Sequence, residues 1–511
     1  MERTASGIER AAAVLVLALV FAFLLTLCVS AFLGTARLTT NDPSGEHIDF
    51  QADNVFLNGI LLGIFLLMLY IFHRHEDGWR VRRMELLLLL WVFLLGTAFI
   101  ASVKLRSPIY SDSFIVTNAA QRAALGDFAP LKEDYFLRFP FQLGYVLYSE
   151  LFFRAADFLL HGLPDGYKAL ALQELNLLWL LFALHALIES CGLIYPDPKA
   201  EKLTVLLLFF CLPPVLSCTF LYGNIPAYSC GMGALWMFLL FLRDGRLRHA
   251  LLCGLLLSLG VILKLNLLIF CVAIGGVWFL ESLRKRSLRS FACLLLAVAF
   301  VLAGKGLPQR FYEQRTGLQF GEGIPMLAWM AMGFSEGHAA PGWYEEENTV
   351  DAFEASGHDP VATAAHAKSV LRERAAFFAS SPRAALRFFS QKLRSQWNEP
   401  SCQSLWINEV HLSYSEKNGI YRLFCESGHR RTLGVMNQFQ QLIYLGALLG
   451  TAMLWKDRRL PRCTLALILL GGLLYHLLFE AKSQYALPYF LMLVPMAGAG
   501  LTALFRKVEF R

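Results

Sequence analysis

The sequence is short of charge: 17% of its 511 residues are Asp, Glu, Lys or Arg, where a soluble domain carries roughly 25%. That shortage excludes an ordinary soluble multidomain enzyme. Disorder is excluded too, because 56% of the residues are hydrophobic. The chain has no low-complexity tract, no visible internal repeat and no Cys-x-x-Cys. These absences argue against a solenoid, an inverted-repeat transporter and a zinc ribbon. What the chain has instead is long apolar runs, with a mean hydropathy of +0.49.

The runs fall near 11–33, 55–73, 85–103, 172–193, 203–222, 230–242, 250–264, 266–281, 290–308, 434–455, 462–479 and 485–505. They read as about twelve membrane-spanning helices and are too long for barrel strands. The first run follows Arg3 and Arg10, exceeds a signal-peptide core and lacks a small-x-small cleavage site, so it reads as retained. The net charge is +7. Its Lys and Arg sit in loops, where they orient helices, and nucleic acid is not an expected partner. Of the 11 cysteines, Cys402 and Cys425 alone share a polar segment, and their pairing requires an extracytoplasmic location.

Loop charge gives a topology. Loop 34–54 sets Arg37 against Asp42, Glu46, Asp49 and Asp53, and reads outside. Loop 73–84 carries Arg74, Arg80, Arg82 and Arg83, and reads inside. Arg246 with Arg248, the group Arg284 to Arg289, Lys456 to Arg459, and the C-terminal Arg506, Lys507 and Arg511 also read inside. All of these agree only if the amphipathic stretch 141–160 does not cross. It is therefore expected as an interfacial outer helix, with Glu150, Arg154 and Asp157 on its polar face and Tyr145, Tyr148, Phe152 and Leu159 opposite. A spanning helix with its charges buried in the bundle is the competing reading. Both termini are expected in the cytoplasm.

The expected fold is an all-α polytopic membrane protein. Its parts are an N-terminal transmembrane hairpin (1–84), a transmembrane core (85–308) with an outer loop at 104–171, a mainly helical extracytoplasmic segment (309–433), and C-terminal transmembrane helices (434–511). The segment 309–433 includes a long helix near 361–397, interrupted at Ser381-Pro382.

Several residues carry chemistry. The outer loop holds Asp112, Glu133, Asp134 and Arg138. A carboxylate above a membrane helix suits a general base acting on a hydroxyl acceptor, while the plainer role for Asp112 is to cap a helix at 113–125. Lys264 interrupts an apolar stretch at the outer end of a span, where it either contacts a phosphate or snorkels to the interface. The turn 219–226, with Gly, Asn and Pro, reads as an ordinary loop. His476 and Glu480 are four apart, followed by Lys482 and Tyr485, which suits a metal pair or a hydrogen-bonded pair with no further ligand evident. Arg372, Arg374, Arg383, Lys392 and Arg394 suit an anionic lipid, a charged glycan or a solvated helix face.

Taken in order, these residues resemble GT-C glycosyltransferases, the protein mannosyltransferase and aminoarabinose transferase class, and more closely the family 39-like membrane glycosyltransferases of Gram-positive bacteria. The resemblance rests on Tyr110-Ser111-Asp112, the stretch 135–144 with Phe139-Pro140-Phe141-Gln142, 219–223, Leu263-Lys264-Leu265-Asn266, 329–333 with Pro341-Gly342, 392–397 and 480–489. It implies a GT-C-like bundle with interfacial helices in the outer loop. It also implies a polyprenyl-phosphate-linked sugar donor, and a glycan, lipid or protein acceptor. Asp112 maps to the general base, with Glu133 or Asp134 as a second loop acid. Lys264 maps to the donor phosphate, with Arg138, Gln142, Asn266, Glu480, Lys482 and Tyr485 toward substrate. Asp112 is followed by Ser113 rather than Glu, and the His-Pro-Pro pattern is absent, so acceptor type does not carry over. No motif fixes a cofactor, and a divalent metal is left open.

The expected function is transfer of a sugar on the outer face of the cell membrane, to build or decorate a surface glycan. The alternatives are a lipid-glycan flippase or transporter, which needs polar residues through the full depth of several helices, and a non-catalytic assembly protein, which does not need Asp112 and Lys264 together.

Overall fold

The computed structural model describes residues 2–42, 45–103, 111–159, 162–411 and 419–509. Tyr110, quoted above beside Asp112, lies outside the described residues. Helix α1 (Glu2–Leu33) runs directly into strands β1 (Gly34–Asp42) and β2 (Gly45–Ala52), followed by α2 (Val55–Arg74) and α3 (Val81–Val103). The next connection contains α4 (Asp112–Ala124), α5 (Asp134–Arg138) and α6 (Leu143–Leu159). Then come α7 (Asp165–Ile194), α8 (Pro198–Leu208), α9 (Leu212–Leu216), α10 (Asn224–Asp244), α11 (Leu247–Leu263), α12 (Leu268–Lys285) and α13 (Leu288–Thr316). Shorter helices follow: α14 (Met326–Gly333), α15 (Ala352–Ala355), α16 (Pro360–Ser380), α17 (Pro382–Trp397), α18 (Ser404–His411) and α19 (Gly419–Phe424). The chain closes with α20 (His429–Leu454), α21 (Thr464–Leu478) and α22 (Leu487–Glu509).

This is a helical, multi-pass membrane protein. Among the described residues nine helices are long and apolar enough to cross a membrane, and the α8–α9 pair, bent by 48°, makes a tenth if it is one span. Each of the twelve apolar runs falls on a helix or on that bent pair, but length and apolarity do not establish twelve spans. Helix α11 has only 17 residues. Helix α20 has 26 but buries Asn437, Gln438, Gln440 and Gln441.

The hairpin departs from the all-α expectation. Its strands pair antiparallel with Ala36 opposite Phe50 and Leu38 opposite Ile48. The period-2 alternation turns Ala36, Leu38 and Ile48 onto a small buried cluster with Ala340, Trp343 and Ala481. Two backbone bonds dock the hairpin on later segments: Ala36 N donates to Asn398 O at 3.0 Å, and Ile48 N to Ala339 O at 3.3 Å.

Ion pairs fix how the helices run. Arg82, near the start of α3, meets Glu189, near the end of α7, at 2.6 Å. The two helices are therefore antiparallel, and the connection between them returns to the side it left without crossing. At the same end Arg506 meets Asp197 at 2.9 Å and Arg284 meets Glu9 at 3.6 Å. One end of the bundle thus collects these basic residues, while the other carries the hairpin and the long connections.

The polar face of α6 is only partly solvated: Arg154 is exposed, but Glu150 is not, contrary to the interfacial pattern read from sequence. Glu150 is 1% exposed. It accepts from Tyr312 Oη at 2.6 Å, Arg315 Nη1 at 2.8 Å and Arg154 Nε at 2.8 Å. These charge-assisted bonds, two from α13 and one from α6 itself, make a buried carboxylate tolerable. Helix α16 ends at Ser380 and α17 restarts at Pro382, since a proline cannot continue the hydrogen-bond ladder. No disulfide joins Cys402 to Cys425.

Candidate functional site

Asp112 opens α4. The residue before it, Ser111, has φ 63°, a left-handed conformation that non-glycine residues adopt at some cost. Rather than capping its helix, the Asp112 carboxylate accepts from Tyr222 Oη at 3.0 Å. Tyr222 sits in the turn before α10. There Gly223 takes φ +81°, and a Cβ on it would meet the Tyr145 ring at 2.9 Å, so the turn requires glycine. Gln142 Nε2 donates to the same hydroxyl. Lys264 follows α11 in extended backbone, and its ammonium stands 3.4 Å from the Tyr222 ring centroid, a cation–π contact. Gly144, at the start of α6, sets the spacing: a Cβ there would lie 1.7 Å from Ile262 O, so α6 lies directly on α11 beside Lys264. One phenol thus joins an acid, an amide and a cation from four separate segments.

Burial pushes the Lys264 ammonium down to about 7, against the pull of Asp112 and Glu480. Burial and the Asp112 charge push the Tyr222 phenol well up, so it remains a donor.

These side chains line a cavity of about 2120 Å³. Asn266 lies on the same wall. A second polar wall comes from the α21–α22 connection and the hairpin. Tyr485 Oη donates to Glu480 Oε2 at 3.1 Å, and Lys482 meets Glu46 of the hairpin at 3.1 Å. His476 Nδ1 meets the Glu480 carbonyl at 2.8 Å, so this pair is joined by a hydrogen bond rather than by two converging side-chain ligands. A third wall is apolar, built from Leu268, Ile269 and Val272 of α12 with Leu470 and Leu474 of α21. It continues to the outside of the bundle, where Val272 is 75% exposed.

The structure brings together Asp112, Gln142, Lys264, Asn266, Glu480, Lys482 and Tyr485. It does not bring Glu133, Asp134 or Arg138 to the cavity wall. The first two are exposed, and Arg138 is engaged by Glu354 and, at 4.0 Å, by Asp134. Arg374, read above as part of a basic binding face, bonds Phe334 O at 2.7 Å and Glu336 at 2.8 Å. Sequence reading missed Tyr222 and Glu46. It also missed what Lys392 does: from α17 this buried ammonium donates to Gly333 O, closing α14, and to Leu477 O at 3.0 Å, closing α21. Cations at helix C-termini are favourable partners for free carbonyls. The group of His and carboxylate donors that does converge among the described residues is Glu85, His185 and Glu189. It lies at the far end of α3 and α7, and Arg82 already bridges its two carboxylates.

The bundle and its half-polar, half-apolar cavity define a multi-pass integral membrane protein with a large cavity at one end. The family model described as conserved hypothetical integral membrane protein matches residues 241–499, and the chain belongs to that family. The match includes Lys264 and Lys482 but not Asp112. No curated protein matches the chain. Among solved structures, it is similar to the archaeal oligosaccharyltransferase AglB from Archaeoglobus fulgidus in complex with an inhibitory peptide and a dolichol-phosphate, with a TM-score of 0.42 and 13% identity over 83% of this chain and 51% of that one. The apo form of the Archaeoglobus fulgidus oligosaccharyltransferase gives a TM-score of 0.42 and 12% identity over 83% of this chain and 51% of that one. The chain spans about half the length of the structures it matches.

Proposed function

We propose that this protein is a membrane glycosyltransferase of the GT-C type, moving a sugar from a polyprenyl-phosphate-linked donor to a cell-envelope glycan, lipid or protein acceptor. One observation carries the reading: the Asp112–Tyr222–Lys264 cluster stands where a polar cavity meets an apolar wall that continues to the lipid-facing surface. A lipid phosphate has the same division, with a charged head and a tail that stays in the bilayer. The basic residues at the opposite end of the bundle support placing that end and both termini inside the cell membrane, with the cavity on the outer face.

In this reading the acceptor hydroxyl attacks the anomeric carbon. The new C–O bond forms as the bond from that carbon to the phosphate oxygen breaks. The hydroxyl proton passes to Asp112, and the electron pair of the broken bond leaves with the polyprenyl phosphate, whose charge Lys264 stabilises. Tyr222 is a positioning residue: it holds the base through its hydroxyl and the cation through its ring. Segment 309–433 supplies Trp329, Tyr344 and Trp406 to the cavity and forms the acceptor side.

The test is polyprenyl-phosphate release by purified protein in lipid, given a panel of polyprenyl-phosphate sugars and a cell-envelope extract as acceptor. Release by wild type and its loss in Asp112→Asn are expected. Equal release by both removes Asp112 as the base. Silence with every donor, together with donor transport across the vesicle membrane, turns the reading to a flippase.

A further inference from the structure

We infer that Glu46 decides the charge class of the transferred sugar: by pairing with Lys482 it leaves the wall facing Asp112 without a free cation among its described residues, so the sugar bound there is uncharged. The inference rests on the transferase reading above.

Three lysines line the cavity: Lys305 of α13 is exposed, and the two on the polar walls, Lys264 and Lys482, are in opposite situations. Among the described residues no carboxylate lies within 4.0 Å of the Lys264 ammonium, which rests on the Tyr222 ring. Lys482 is paired with Glu46 at 3.1 Å and stands 5.3 Å from the Tyr344 ring centroid. Gln403 Nε2 donates to the other Glu46 oxygen at 2.6 Å, so the carboxylate is held from both sides. Glu480, bonded to Tyr485, adds a second acid to the same wall. Of the two on the polar walls, Lys264 is the cation available to a phosphate, and Lys482 is not.

The two walls face one space. Asp112 and Glu480 both raise the Lys264 pKa. Burial lowers that of Lys482, but Glu46, Glu480 and Asp112 outweigh it, so it keeps its proton. A neutral sugar offers this wall hydroxyls, which can accept from the Lys482 ammonium and donate to the Glu46 and Glu480 carboxylates without displacing anything. A uronate brings a further negative charge against two half-buried acids. It must either endure that repulsion or pull Lys482 away and leave half-buried Glu46 without its cation, and both are costly. Glu46 lies in the hairpin and Lys482 between the last two helices, so the hairpin docked on Ala340, Trp343 and Ala481 is what brings this acid to the site.

The test compares kcat/KM for neutral polyprenyl-phosphate hexoses and N-acetylhexosamines, each beside the matching uronate, with protein in lipid. Wild type is expected to prefer a neutral donor by at least 100-fold. Glu46→Gln keeps the bond from Gln403 but frees the Lys482 charge, and should cut that ratio at least tenfold by gaining on the uronate. If Glu46→Gln does not fold, Lys482→Gln supplies the reciprocal result, a wider ratio. Ile48→Ala, which loosens the hairpin without changing charge, should lower both rates and leave the ratio alone. A wild type that accepts uronate equally well, or a ratio unmoved by Glu46→Gln and Lys482→Gln, overturns the inference while leaving the transferase reading intact. A wild type silent on every donor defeats the transferase reading, and the inference with it.

Discussion

Tyr222→Phe removes one oxygen from the centre of the site. The ring stays, so the contact with Lys264 at 3.4 Å from the ring centroid survives. The 3.0 Å bond to Asp112 is lost, and Gln142 Nε2, buried beside it, loses its acceptor. A hydrogen bond to a charged group contributes about 1.5–3 kcal/mol. If that bond holds Asp112 in its productive position, donor turnover falls about 10- to 150-fold, with stability reduced by about 1–2 kcal/mol for the orphaned amide. Tyr222→Leu removes the ring as well, and a desolvated cation–π contact adds about 2 kcal/mol, which should appear as weaker donor binding. The assay is polyprenyl-phosphate release at saturating donor, paired with a thermal melt of the same preparation. If Tyr222→Phe melts like wild type and turns over within twofold of it, the phenol does not position the base and the reasoning is wrong.

Other predictions concern the frame around that cluster. Lys264 is held down to about 7, so it is charged below that pH and neutral above it. A phosphodiester donor, whose own charge is constant there, should bind more weakly as pH rises from about 6 to 8, and Lys264→Gln should bind weakly at both ends. Pull-down of a labelled donor in nanodiscs reads this, and a flat wild-type profile counts against it. Gly144→Ala places a methyl 1.7 Å from Ile262 O. The α6–α11 contact must open at a cost of about 1–3 kcal/mol, lowering both the melt and the turnover; an unchanged melt would show that the contact yields. Glu150→Gln takes the charged acceptor from Tyr312, Arg154 and Arg315. The two arginines are partly exposed, so the loss should be about 2 kcal/mol rather than the larger figure of a fully buried pair, measured as a lower melting midpoint.

The helices were legible because a membrane span announces itself: about twenty apolar residues need no partner to be recognised. Asp112, Lys264 and Glu480 were legible for the opposite reason, as charged residues at the borders of such runs. Tyr222 was not, because tyrosine beside an apolar run is unremarkable and its role depends on Asp112, far away in sequence. The hairpin was open to a closer reading. Ala36-Arg37-Leu38-Thr39 and Ile48-Asp49-Phe50-Gln51 alternate in polarity around Asn41, Asp42, Pro43, Ser44 and Gly45, which is a strand–turn–strand pattern. The acids in it, counted only as loop charge, hid it. Glu150 and Arg138 show the limit of local pattern. The one looked solvated until Tyr312 and Arg315 arrived from α13. The other looked free for a phosphate until Glu354 took it.

The bridge from Glu46 to Lys482 also bears on when the protein begins to work. Residue 46 is made long before residue 482. At roughly 5–20 residues per second of synthesis, the hairpin emerges on the order of half a minute before its partner. When the hairpin emerges, the residues it later rests on, Ala340, Trp343, Asn398 and Ala481, do not yet exist, and Ala481 is made only just before Lys482. A chain that stops short of α21 has Asp112 and Lys264 but not the Glu46–Lys482 pair. The cavity wall is thus closed by two segments far apart in the chain, and it is complete only once α21 and α22 are in place.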